Sequence, residues 1–275
     1  MGDMLSDENI KTIQINMLQY IHEVCEKNNL KYYICGGTLI GAVRHKGFIP
    51  WDDDIDINMS YEDFVKFVEI VNKAGLYKIL TINDKGYYYY FGKIVDTKTR
   101  LIEQSLDVHI DEMGVYIDVF PLDGVPASQK DALKWFRKMR KYNDILESFA
   151  LWGNRQVSLF RYIYRNIKYT FRYIDFLYYR VRGIQYVQKK LEKEGHLYKF
   201  SESDYVCSIG GAYGSKEIYP KKIFENTIQM PFEGHMFNAP IGYHDFLTQM
   251  YGDYMQMPPK EKQVSNHDFE AYWRD

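Results

Sequence analysis

Apolar residues recur at helical spacing near the start of the chain, where Ile10, Ile13, Met17, Tyr20, Ile21 and Val24 share one face. Ser6 stands just ahead as an N-cap, and Asn28-Asn29 supplies the stop. The period then changes. Residues 31–35 form a short apolar run, predicted as a buried strand that delivers Gly36-Gly37 at its tip. Residues 38–44 read as a helix, 46–51 as a loop punctuated by Gly47 and Pro50, and 54–59 as a returning strand. Ser60 and Asp63 suggest a capping box with Asp in place of Glu, opening a helix with Phe64, Phe67, Val68 and Val71 on one side. Strand-like runs follow over 77–82, 87–96 and 115–120.

Beyond Ala127 the pattern turns helical, aromatic and basic. Phe160, Ile163, Tyr164, Ile167, Phe171, Ile174, Tyr178, Val181, Ile184, Val187 and Leu191 return every three or four residues, with a break near Gly183. Arg161, Arg165, Lys168 and Arg172 run beside them as a basic stripe. Residues 134–199 hold sixteen Lys/Arg against five Asp/Glu, an excess hidden by the overall net charge of −2. Such a stripe packs on a core or lies against an anionic interface. A hairpin over 228–239 and a short helix over 243–251 complete the pattern. The order of elements predicts an α/β (α+β) fold with a mixed sheet. Its expected parts are a core over 1–127, a helical basic subdomain over 128–200, and a C-terminal segment, 201–275, that completes the core.

Composition narrows the setting. A chain of 275 residues, 46% hydrophobic, is ample for a real core. Near-neutral charge removes the global electrostatic case for nucleic acid. Cys25, Cys35 and Cys207 are scattered without metal-ligand spacing, which suits a reduced, cytoplasmic environment. The acidic N-terminus lacks the apolar segment of a secretory signal, and no apolar run approaches the roughly 20 residues of a membrane span. The expectation is a soluble or peripheral protein. Its 26 tyrosines are an excess.

The densest chemistry lies between Gly36 and Asn58. Gly36 and Gly37 let backbone N–H groups approach a ligand, and a helix N-terminus behind them attracts anions. In Asp54-Ile55-Asp56-Ile57 the acids face one side of a strand and the isoleucines face the core. Asp118, between Ile117 and Val119, offers a third acid in the same setting. Adjacent strands bearing these carboxylates can converge on one or two Mg²⁺ or Mn²⁺ ions, with Asp52 a further possible ligand on the face of Asp54. A solvated acidic turn is the plain alternative, and the alternation with isoleucine argues against it. A calcium loop fails because the turn position that demands Gly is Ile57. Arg44 and His45 are candidate phosphate contacts, Arg44 equally a partner for a nearby aspartate. Lys93 lies on an expected strand; it could reach a phosphate, although its spacing fits a surface lysine.

Taken together, Gly36-Gly37, Asp54-Ile55-Asp56-Ile57 and Ile117-Asp118-Val119 resemble the signature of the nucleotidyltransferase fold. More narrowly, the run from Gly36 to Ile57 resembles the LicD family of phosphorylcholine transferases, relatives of fukutin-type proteins. Further matches are the run from Asp118 to Gly124, the run from Tyr251 to Met255, Pro258-Pro259 and His267. The resemblance implies transfer of phosphocholine from CDP-choline to a hydroxyl of a glycan or lipid-linked glycan acceptor, of teichoic acid or lipopolysaccharide type, with possible peripheral membrane contact. By motif position Asp54 and Asp56 are implied metal ligands and Asp118 the third catalytic acid. Gly36, Gly37, Thr38, Arg44, His45 and Lys93 are the expected donor-binding residues. Quaternary ammonium groups bind to aromatic faces, and Trp51 and Tyr89 are the expected choline contacts by nearness in sequence. Two other functions fit the pattern: the same fold with another activated alcohol phosphate or nucleotide donor, and a non-catalytic glycan- or membrane-binding module.

Overall fold

Helix α1 (Asp7–Asn28) begins where Ser6 accepts a hydrogen bond from the Asn9 amide and ends at Asn29 in the left-handed conformation. Ile10, Ile13, Met17, Leu18 and Ile21 are its buried face. The computed structural model describes residues 2–104, 110–152, 170–265 and 269–275. Within these, β1 (Tyr32–Ile34), α2 (Gly36–Arg44), β2 (Asp56–Ser60), α3 (Tyr61–Ala74), β3 (Tyr77–Leu80), β4 (Gly92–Asp96), β5 (Thr99–Glu103) and β6 (Tyr116–Gly124) follow in order. Next come α4 (Gln129–Trp152), α5 (Thr170–Arg180), α6 (Ile184–Gly195), β7 (Tyr205–Cys207), β8 (Ile218–Pro220), β9 (Thr227–Phe232), β10 (His235–Pro240), α7 (Tyr243–Tyr251) and β11 (Phe269–Trp273).

The central sheet has the order β1-β2-β6-β4-β3, with β7 and β8 continuing from the far end of β6. Strands β2 and β6 are parallel; their neighbours are antiparallel. Register follows the alternation of side chains. Ile34, Ile57 and Val119 form one apolar row across three strands, and Asp56, Asp118 and Lys93 form the adjacent row on the opposite face. Ile57, Ile117 and Val119 are fully buried. The mixed α/β class is as expected.

Local patterning placed several elements well. Helix α7 spans the expected residues, and β9 and β10 join through Glu233-Gly234, both at positive φ, as a two-residue hairpin turn requires. Gly183, at φ 81°, stands as the N-cap of α6 where the helical stripe was expected to break. Phe160, Ile163, Tyr164, Ile167, Arg161, Arg165, Lys168 and His267 lie outside the described residues.

Three expectations change. Strand β2 begins at Asp56, so Asp54 sits on the incoming loop and shares no strand face with Asp56. The run over 87–96 is strand only from Gly92, because Tyr87 packs into the central core while Tyr88 and Tyr90 enter a second core beneath α4 and α6. The Ser60 cap forms, but its reciprocal half does not: the Asp63 carboxylate accepts from the Lys31 amide at 3.2 Å.

Candidate active site

Helix α2 starts at Gly36, directly off β1, with Cys35 as its N-cap. The Cys35 amide donates to the Asp56 carbonyl (3.0 Å), and the Asp56 amide donates to Thr38 Oγ1 (2.9 Å), so the first turn of α2 is bolted to the first residue of β2. Asp56 is registered against Asp118 on β6. Both glycines serve this junction. A Cβ on Gly36 would lie 2.7 Å from Asp56 Oδ2, and one on Gly37 would overlap Asp52 Oδ2. Gly36 also holds φ at 55°, which side chains disfavour. The glycine pair thus makes room for carboxylates at the helix N-terminus.

The acidic loop is held from below and from the side. Gln14 of α1 donates through Nε2 to the Asp53 carbonyl (3.0 Å) and the Tyr116 carbonyl (3.4 Å), and Ser265 Oγ donates to Asp53 Oδ2 at 2.6 Å. Asp52, Asp53 and Asp54 each present a carboxylate oxygen, all within 4.8 Å of one another. Asp53 was not singled out from sequence; the only signal was the run of three acids. Among the described residues, this is the group whose acidic side chains come close enough together to share a cation, and Asp56 and Asp118 stand outside it.

Asp56 and Asp118 lie beside that group electrostatically. Burial raises the Asp56 carboxyl pKa well above its ordinary value, and Asp54, Asp118 and Asp52 raise it further. Asp118 is pushed up as well, by burial first and by Asp54, while Lys93 opposes the shift. A divalent cation relieves this crowding of negative charge, and an all-oxygen donor set with a glycine-cleared approach suits a hard ion such as Mg²⁺ or Mn²⁺.

Lys93 departs from its expected surface position. Only 3% of its side chain is exposed, and its Nζ donates to Asp118 Oδ1 at 2.7 Å. The ammonium also lies 3.4 Å from the Tyr116 ring centroid and 4.9 Å from that of Tyr89. It therefore compensates a buried carboxylate, because cross-strand register places it next to Asp118. Arg44 sits at the other end of α2, about 12 Å from Gly36 along the axis. Its Nη1 donates to the carbonyls of Tyr254 (3.1 Å) and Gln256 (3.5 Å), while its Nε is buried without a partner. His45, whose Nε2 is likewise buried and unpartnered, follows it, and burial and Arg44 lower its pKa. Trp51 and Tyr89 are not brought together. Trp51 lines a cavity with Met4, Ile10 and Phe269, whereas Tyr89 packs among Tyr88, Phe91 and Lys93.

A different aromatic group stands next to the acids. Phe120, Tyr213, Tyr219, Phe246 and Tyr251 line a cavity that also touches Gly36, Asp56 and Asn58. Sequence reasoning missed Tyr213 and Glu217, and gave Tyr251 only as part of a matching run, because they enter from chain segments over 150 residues beyond Asp56.

A parallel β2–β6 pair carrying carboxylates beside a glycine-opened helix is an arrangement suited to the transfer of a phosphoryl group. Residues 29–143 match the family model described as LicD/FKTN/FKRP, nucleotidyltransferase domain. The chain is 34% identical to the lipopolysaccharide cholinephosphotransferase LicD of Haemophilus influenzae over 265 residues, 94% of each chain. It is 42% identical to the human ribitol 5-phosphate transferase FKRP over 45 residues, 16% of this chain and 9% of that protein. The mouse FKRP gives the same match. The protein belongs to the LicD family, and it is a transferase.

Proposed function

We propose that this protein transfers phosphocholine from CDP-choline to a hydroxyl of a cell-surface glycan precursor of the lipopolysaccharide type, in a divalent-cation-dependent reaction. The observation that carries the proposal is the junction of Gly36-Gly37 with Asp52–Asp54, Asp56 and Asp118. The near full-length relative, named for cholinephosphate transfer to lipopolysaccharide, supports the substrate class.

Asp52, Asp53 and Asp54 are the tight group that would hold Mg²⁺ or Mn²⁺, with Asp56, whose pKa Asp54 and Asp52 help to raise, as a further ligand from β2. When bound, the ion supplies charge neutralisation for the donor diphosphate. The amides at the start of α2 receive phosphate oxygens, as a helix N-terminus does for anions. The acceptor oxygen forms its bond to the choline-bearing phosphorus, the bond to the bridging oxygen breaks, and CMP departs with that electron pair. Asp118 takes the hydroxyl proton. Its raised pKa makes it a better base than an ordinary carboxylate. Positioning and charge neutralisation do most of the work. Helices α4, α5 and α6 would serve the acceptor side, where basic residues suit an anionic or lipid-linked glycan. No described helix is long and apolar enough to cross a membrane.

A second donor, CDP-ribitol, is favoured by the short match to a ribitol 5-phosphate transferase. Thermal shift in Mg²⁺ with CDP-choline, CDP-ribitol, CTP and UTP tests the choice. Stabilisation by CDP-choline above the others is expected. No shift with CDP-choline alongside a shift with another nucleotide would overturn the choline assignment.

A further inference from the structure

A cavity of about 120 Å³ opens beside Gly36 and Asp56. Its aromatic walls do not form a parallel slot. Tyr213 and Tyr251 meet edge to face at 5.1 Å and 76°, and Tyr219 meets Phe246 at 5.0 Å and 33°. The lining includes Glu217, only 4% exposed. Glu217 Oε1 accepts from the Tyr213 amide (3.0 Å) and Oε2 from the Tyr219 hydroxyl (2.6 Å), so the carboxylate is fixed in place. Gly211 packs directly on it, where a Cβ would overlap the carboxylate. Ser208 lines the same cavity, and its hydroxyl is buried without a hydrogen-bond partner.

We infer that this cavity seats the quaternary ammonium head of the donor, against the ring faces of Tyr213 and Tyr251 and under the negative charge of Glu217. The inference rests on the phosphocholine reading above and adds the residues that select choline. A trimethylammonium group has no N–H to donate. Only ring faces and nearby negative charge can distinguish it from a neutral group of the same shape. Rings converging from several directions fit a tetrahedral head, whereas a flat base needs two parallel faces. The cavity borders Asp56, so a head seated there leaves its phosphorus near Asp56, two carbons and an ester oxygen along the choline chain. The unpartnered Ser208 hydroxyl is a ready donor for a phosphate oxygen on that path.

The test compares three ligands in Mg²⁺ by calorimetry: CDP-choline, its neutral 3,3-dimethylbutyl isostere, and CDP. The wild-type protein should bind CDP-choline about tenfold more tightly than the isostere. Glu217→Gln, which keeps the shape, and Tyr213→Leu, at an exposed ring, should bring that ratio towards one while affinity for CDP stays within about twofold. Equal wild-type affinity for choline and isostere donors overturns the inference. So does an unchanged ratio in folded variants, with tight CDP-choline binding preserving the donor reading. Variants that weaken CDP as much as CDP-choline assign the cavity to cytosine instead and overturn it. If CDP-choline binds no better than CDP, the donor reading and the cavity assignment fall together. Tyr213→Leu carries the comparison should Glu217→Gln not fold.

Discussion

Asp56 stands at the most crowded point of the site. Burial, then Asp54, Asp118 and Asp52, raise its pKa, and among these causes only Lys93 opposes them. A carboxyl whose folded pKa is raised contributes stability below its unfolded value and loses it as pH climbs through the folded value. The cation-free protein should therefore lose stability as pH rises from about 4, the unfolded carboxylate value, towards neutrality. A divalent cation competes with the proton, so its gain in Tm should be larger at about pH 8 than at about pH 5. Scanning fluorimetry with and without Mg²⁺ checks this; an equal gain across the range counts against Asp56 facing the ion. Asp56→Asn should raise the cation-free Tm by about 2–4 °C and lower transfer at least about a hundredfold. Lys93 is the counterweight, 2.7 Å from Asp118 with 3% of its side chain exposed. Lys93→Met strands a buried carboxylate and should cost about 3–5 kcal/mol in urea unfolding, part of which Asp118→Asn restores in the same chain. A loss under about 1 kcal/mol would show that solvent reaches the pair. The pairing with Asp118 was not legible in the spacing of Lys93, because register between β4 and β6 is a tertiary choice.

At the scale of elements, the start of α2 decides function more than stability. Gly36→Ala adds a Cβ 2.7 Å from Asp56 Oδ2 at a φ of 55°, which must displace the carboxylate. Transfer should fall about ten- to a hundredfold, as it does when a ligand's support is lost. Gly75→Ala is the matched control, at φ 74° with nothing within 4 Å of the new Cβ. It should cost about 1–2 kcal/mol and leave transfer unchanged. Comparable activity losses in both would mean that backbone strain, not Asp56, is what Gly36 protects. Helices α1, α3 and α7 and the β9–β10 hairpin were readable because caps, turns and apolar spacing are local. Residues 87–91 misled because four consecutive tyrosines fit a strand pattern, yet two separate cores receive them.

At the scale of the molecule, Arg140 is one tie between the helical region and the site. Arg140 of α4 donates through Nη1 to the Ile209 carbonyl at 2.8 Å and to the Gly211 carbonyl, holding the loop that leads to Tyr213 and Glu217. His196, just past α6, gives a second tie: its Nδ1 meets Asp123 Oδ1 at 2.6 Å and its ring stacks on Tyr61. Arg140→Met should loosen the loop and raise KM for the donor about tenfold with kcat within about twofold, since the residue touches neither metal ligands nor reacting atoms. Steady-state kinetics over donor concentration checks this. A fall in kcat at constant KM would place Arg140 in the chemistry itself.

The sequence by itself determined the mixed α/β class, the placing of α1, α3 and α7, and the glycine pair followed by acids, since each rests on alternation or spacing within a few residues. It also pointed to Gly36–Asn58 as the working segment. Tertiary structure decided which acids cluster, that Lys93 is buried against Asp118, and that aromatic residues from 213 to 251 stand beside Asp56. Those outcomes depend on strand register and on chain segments far apart in sequence, whose meeting is set by packing of the whole core.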